Sequence, residues 1–163
     1  MFKKGNFVIN TNNGICEIQD IVTMNMSGTA KEYYLLVPVS EPSAKVYIPV
    51  DVAENRIRLV ITKEEAWEII KGIPSIESIW IENDKEREKI YKEALASREP
   101  ERLIRIIKTL YYRKKERIDA GKKNTAVDER YFKLAENQLH SELAFALGEP
   151  KQNITKIIEE HLT

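Results

Sequence analysis

A chain of 163 residues with 42% hydrophobic and 32% charged side chains holds enough apolar material for one ordinary core or two small ones, which excludes collagenous, low-complexity and disulfide-scaffold proteins. Lysine plus arginine and aspartate plus glutamate number 26 each, so any polyanion partner must be read from where charge sits, not from its total. The apolar runs, such as Tyr33 to Val39, fall far short of the ~20 residues of a membrane span, and the opening Met-Phe-Lys-Lys-Gly leads into no signal-peptide core, so the expected location is cytoplasmic. The single cysteine, Cys16, is expected to be a small buried hydrophobe on a strand.

From Phe7 to about Val60, β-branched and aromatic residues alternate with polar ones, and turn residues punctuate them. Phe7 to Ile9 runs into Asn12-Asn13-Gly14, where Asn and Gly tolerate positive φ and suit a tight hairpin. Ile15 to Val22 reads as the returning strand. Ser27-Gly28 then leads into a strand over Glu32 to Pro38, Glu41-Pro42-Ser43 into one over Lys45 to Pro49, and a last strand closes the set near Ile57 to Val60. Five short hairpin-linked strands predict a small curled antiparallel sheet or partial barrel over residues 1–61, a shape suited to binding.

After that the period turns helical. Thr62 with Glu65 forms a capping box that starts a helix with Ala66, Trp67, Ile69 and Ile70 on its apolar stripe, and Gly72 with Pro74 stops it. Trp67 is expected in the core. A second helix is expected from about Asn83 to Ser97 and a third from Glu99-Pro100 to Gly121, proline being tolerated in a first turn. A fourth, from Ala126 to Leu147, places Tyr131, Ala135, Leu139 and Leu143 inward, and Gly148 and Pro150 end it. The last spans Asn153 to Leu162. The expected architecture is therefore α+β, with the β module followed by an all-α module of about five helices over residues 62–163.

Charge is balanced in the β half. In contrast, residues 108–123 carry seven cations, Lys108, Arg113, Lys114, Lys115, Arg117, Lys122 and Lys123, against two acids, a net +5, while residues 126–163 carry a net −3. A local basic run of this kind fits a phosphate-facing surface, and equally a solvated helix end that complements the macrodipole.

No constellation for catalysis stands out. The six glycines form no phosphate-cradling motif, and His140 and His161 have no second ligand at metal-binding spacing. His140 is expected at the surface or boundary of its helix. Adjacent Ser141 points about a hundred degrees away and cannot pair with it in a triad. No enzyme activity, cofactor or metal is expected. Trp80 is different, because it lies between a helix break and a helix start, one turn before Lys85 and Arg87, where it can serve either as core or as an apolar wedge that stacks on bases.

In order along the chain, Phe2-Lys-Lys-Gly5, Asn13-Gly14-Ile15-Cys16, Lys31-Glu-Tyr33-Tyr34-Leu35-Leu36-Val37, Val46-Tyr-Ile48-Pro49, Trp80 with Asn83 and Arg87, Leu110-Tyr-Tyr-Arg113, Leu134-Ala135 and Glu142-Leu143-Ala144 resemble the CarD-like (CdnL-like) bacterial transcription regulators. These share their N-terminal module with the transcription-repair coupling factor. The resemblance implies a Tudor-like β module that docks on the RNA polymerase β subunit, through strand edges around Met24, Met26, Val46, Tyr47 and Ile48. It also implies a helical module that touches promoter DNA at the upstream edge of the transcription bubble, with Trp80 as wedge and Lys85, Arg87, Arg113 and Lys114 as phosphate contacts. Met24 and Tyr47 stand where some relatives carry arginine. The implied role is non-catalytic stabilisation of the open complex, with little sequence specificity, by a monomer whose exposed edge strand could also pair between copies. The competing reading is an adaptor whose β module pairs with another protein and whose helical half binds no DNA.

Overall fold

The computed structural model describes residues 1–25 and 28–162. The chain divides between Val60 and Ile61 into two compact units. The first is a five-stranded sheet of β1 (Phe7–Asn10), β2 (Gly14–Asn25), β3 (Ala30–Pro38), β4 (Val46–Pro49) and β5 (Ile57–Leu59), antiparallel throughout and ordered β4-β3-β2-β1-β5. It is an open sheet, with β4 and β5 as its two edges. Gly14 takes φ +69° at the β1–β2 hairpin, as the Asn-Asn-Gly turn requires. A bulge between Ile18 and Asp20 breaks the β2–β3 register and bends the ribbon.

Alternation places Val8, Cys16, Ile18, Tyr34, Leu36 and Ile48 on one buried face, with Cys16 wholly buried among them. A short 3-10 helix, Val50–Asn55, which the strand pattern did not announce, joins β4 to β5 and adds Ala53 to that core.

In the second unit, α1 (Lys63–Gly72), a 3-10 turn (Ile73–Ser75), α2 (Asp84–Ser97), α3 (Pro100–Asp119), α4 (Ala126–Leu147) and α5 (Lys151–Leu162) follow one another. The capping box closes both ways: the Glu65 amide donates to Thr62 Oγ1 at 3.1 Å and the Thr62 amide to Glu65 Oε1 at 3.0 Å. On α4 the four-residue series Tyr131, Ala135, Leu139, Leu143, Leu147 is buried, because α4 packs against α1, α2, α3 and α5. Helix α5 starts two residues ahead of the expected Asn153, since Pro150 supplies the first carbonyl that the Asn153 and Ile154 amides need.

Two placements differ from expectation. Trp67 is 39% exposed: Ala66 and Ile70 carry the buried stripe of α1, and a residue one step along turns about a hundred degrees away from it. His140 is 4% exposed, because α4 has partners on more than one face and α5 covers this one. Its Nδ1 lies 3.2 Å from Thr155 Oγ1 and its Nε2 has no partner. Burial, helped by Lys151, lowers its pKa to about 4. The unfolded chain takes up this proton near pH 6.5, so stability is full above that value. It falls as pH drops from about 6.5 towards 4, by about 3 kcal/mol in all. Denaturation of the wild type and His140→Gln across this window checks it, the variant losing this part of the pH slope.

Candidate nucleic-acid interface and docking edge

The basic run of α3 separates, once folded, into cations the fold uses and cations it leaves exposed. Lys108 is 5% exposed, and its ammonium donates to the carbonyls of Ile73 at 2.7 Å, Pro74 at 3.4 Å and Ile76 at 2.6 Å. It therefore caps the end of the α1 segment and belongs to no surface patch. Arg113 Nε donates to Asp128 Oδ2 at 2.6 Å, and that carboxylate is buried at the N-terminus of α4. Arg117 Nε donates to the Lys123 carbonyl at 2.9 Å. Lys114, Lys115, Lys122 and Lys123 are left exposed.

The segment 76–83, between the 3-10 turn and α2, has no regular structure, yet buried side chains hold it at several points. Lys108 holds the Ile76 carbonyl. The Ile79 amide donates to Thr109 Oγ1 at 2.8 Å, and that hydroxyl donates in turn to the Arg105 carbonyl at 2.7 Å. Arg87, 7% exposed, donates from Nη2 to the Ile81 carbonyl at 2.6 Å and the Glu82 carbonyl at 3.3 Å, and from Nη1 to Asp84 Oδ1 at 2.6 Å. This contact holds the Asp84 carboxyl below its ordinary range. Asn83 then caps α2 by accepting from the Lys85 and Glu86 amides.

Trp80 stands between the two pinned neighbours Ile79 and Ile81, with 73% of its surface exposed. A large indole in water on a fixed backbone is costly for the fold and ready for a partner. Beside it is a hollow of about 300 Å³ whose lining includes Trp80, Arg87, Arg113, Thr109, Tyr112 and Lys115.

Of the five residues matched to DNA contact, Trp80, Arg87 and Arg113 thus meet at one hollow, whereas Lys85 and Lys114 lie outside its lining. Arg87 and Arg113 are bound to protein acceptors, so neither is an open cation. Lys115, Tyr112 and Thr109 belong to the hollow and were missed. A polar Lys108-Thr109 pair inside the apolar run Ile106 to Leu110 was the signal. A larger groove, about 700 Å³, is lined by α3, α4 and α5. Its lysines Lys114, Lys115 and Lys133 are interspersed with Asp119, Asp128, Glu129, Glu136 and Glu159, so it offers no continuous track for phosphates. Burial, with Glu159 close by, pushes the Glu136 carboxyl up.

On the first unit, the β4 edge opposite β3 is unpaired. Tyr47, level with Leu35, is 39% exposed, whereas Ile48 is 6% exposed in the core and Val46 packs against that core. Ile48 therefore offers a partner backbone and not side chain. Met24, opposite Lys31, is half-buried beyond the end of β4 and, five residues along β3 from the level of Val46, roughly 17 Å away in strand direction. The matched docking residues are thus spread along the sheet and do not form one tight patch; Met26 lies outside the described residues.

Among the described residues no cluster of His, Cys, Asp or Glu could hold a metal ion, and no helix is long and apolar enough to cross a membrane. No curated protein matches the chain. Residues 2–61, the sheet unit, match the family model described as CarD-like/TRCF RID domain, and the helical unit lies beyond the matched span. This match supports a transcription-related role in binding RNA polymerase. The sheet unit, an open five-stranded sheet over the matched residues, is therefore a CarD-like/TRCF RID domain.

Proposed function

We propose that this protein is a non-catalytic transcription regulator: its sheet unit docks on the RNA polymerase β subunit through the β4 edge, and its helical unit contacts promoter DNA at the upstream edge of the bubble and stabilises the open complex. The observation that carries the DNA part is Trp80, exposed at 73% on a backbone pinned on both sides. A backbone already held at both neighbours needs no loop ordering when the indole stacks. Lys115 beside it, with Lys114 and Lys85 exposed nearby in sequence, supplies phosphate attraction without base reading. Arg87 and Arg113 act as positioning residues, one holding the Trp80 loop and the other the α3–α4 packing behind it.

Zero net charge fits such a division of labour. Docking on polymerase converts a weak DNA contact into an intramolecular one, so a strong general affinity for DNA is unnecessary. Stabilisation follows only if Trp80 binds opened DNA better than closed DNA, because a ligand shifts an equilibrium by its differential affinity alone.

The docking half is tested by the affinity of the protein for RNA polymerase, measured by biolayer interferometry. Tyr47→Asp is expected to weaken binding about tenfold with an unchanged melting temperature, since Tyr47 is the outward aromatic of the open edge. Met24→Ala is expected to lose less. Unchanged affinity of Tyr47→Asp would move the docking surface off this edge.

A further inference from the structure

We propose that the hollow beside Trp80 is a seat for a single unpaired nucleobase, with preference for the amino-bearing bases cytosine, adenine and guanine over thymine. The proposal rests on the reading of Trp80 as a DNA contact and goes beyond it, because a wedge needs no pocket.

Two aromatic rings border this hollow, Trp80 at 73% and Tyr112 at 38% exposure, the first on a held backbone and the second tethered by its own hydroxyl. Trp80 is held through its neighbours, and the Tyr112 hydroxyl donates to the Leu162 carbonyl at 2.6 Å. Ile79 and Ile81 add apolar wall. At the inner side, Thr109 and Arg87 already have their donors directed at backbone carbonyls and Asp84. What they leave is a rigid, flat-walled space that favours a π-faced ligand over a bare anion.

The rim of the hollow is charged. Lys115 is exposed there and suits a phosphate, while Glu116 and Asp119 put two carboxylates on the same lining. Those acids disfavour a free phosphate inside, and they accept hydrogen bonds from the exocyclic amino group of cytosine, adenine or guanine. Thymine has no such group, and the two carbonyls flanking its N3–H repel a carboxylate. A base can enter only when it has left the stack, so the seat recognises DNA that is already opened. That is the differential affinity which stabilisation of an open complex needs.

The test uses the full chain carrying Trp67→Phe, which leaves Trp80 as its one tryptophan. Short duplexes with a single extrahelical dC, dA or dT, and the fully paired duplex, are titrated to roughly millimolar concentration at low salt while Trp80 emission is followed. The dC and dA bulges are expected to bind about tenfold more tightly than the paired duplex, a stacking-sized gain, and several-fold more tightly than the dT bulge. Ser78→Phe, which fills the hollow, should abolish the advantage over paired DNA. Glu116→Gln with Asp119→Asn, both on the exposed rim, should make dC and dT equal with no change in melting temperature. Equal affinity for bulged and paired duplexes overturns the base seat and leaves the wedge standing. No quenching by any of the DNAs overturns the DNA contact on which the seat rests.

Discussion

Lys108→Met lowers the stability of the helical unit by about 3 kcal/mol, read as a drop in its denaturation midpoint. Methionine keeps most of the apolar stem, so little packing is lost. What disappears is the ammonium that holds the carbonyls of Ile73, Pro74 and Ile76. The Ile76 carbonyl loses its ammonium donor at a cost of roughly 1–3 kcal/mol, the Ile73 carbonyl loses the stronger of its two donors and keeps the Ile76 amide at 3.2 Å, and Pro74, which is exposed, recovers part of its share from water. The same substitution releases the start of the Trp80 segment. In a Trp67→Phe background, Trp80 fluorescence anisotropy should therefore fall well below the unfolding temperature, a change that a loss of global stability alone would not produce.

Asp128→Ala is the second large effect, about 3 kcal/mol of destabilisation, because it leaves the Arg113 guanidinium without its partner where only a fifth of the side chain meets water. It also removes the acceptor charge from the α4 N-terminus, where the dipole favours an anion. Arg113→Met combined with Asp128→Leu should recover most of the loss, since a buried pair replaced by apolar groups of similar size is often neutral. A double variant as unstable as the sum of its single variants would show no coupling between the two side chains and would contradict the unpaired guanidinium as the source of the loss. Chemical denaturation of the wild type, Arg113→Met, Asp128→Leu and the double variant measures this coupling directly.

The sheet, its hairpins and the helix starts were legible because local chemistry decides them. Asn-Asn-Gly before Ile15, Thr62 with Glu65, Pro100 in a first turn and Gly148 at φ +65° act within a few residues of chain. The Val50–Asn55 turn was not, since nothing in the alternating pattern marks how the chain crosses from one sheet edge to the other. The site was legible only in part. Counting cations treated Lys108, Arg113 and Lys115 alike, and tertiary partners alone separate them: three carbonyls for the first, a buried carboxylate for the second, solvent for the third. The exposure of Trp67, expected in the core, and of Trp80, whose core and wedge readings were both open, was hidden for the same reason. A stripe position does not reveal that Ala66 and Ile70 fill the interface, and a loop position does not reveal that Thr109 and Arg87 pin the backbone on either side of an indole. His140 followed the same rule, its burial coming from α5, fifteen residues further along.

The central claim is that Trp80 holds DNA open while the sheet unit holds polymerase, and the most direct measurement is the lifetime of an open promoter complex formed by RNA polymerase from the same organism. It is followed without the protein, with the wild type and with Trp80→Ala. The account predicts that the wild type prolongs the lifetime and that Trp80→Ala shortens it by roughly 5-fold or more, the size of one lost stacking contact, while polymerase affinity and melting temperature stay the same. Prolongation that survives Trp80→Ala unchanged, or no prolongation by a wild type that binds polymerase, would contradict it.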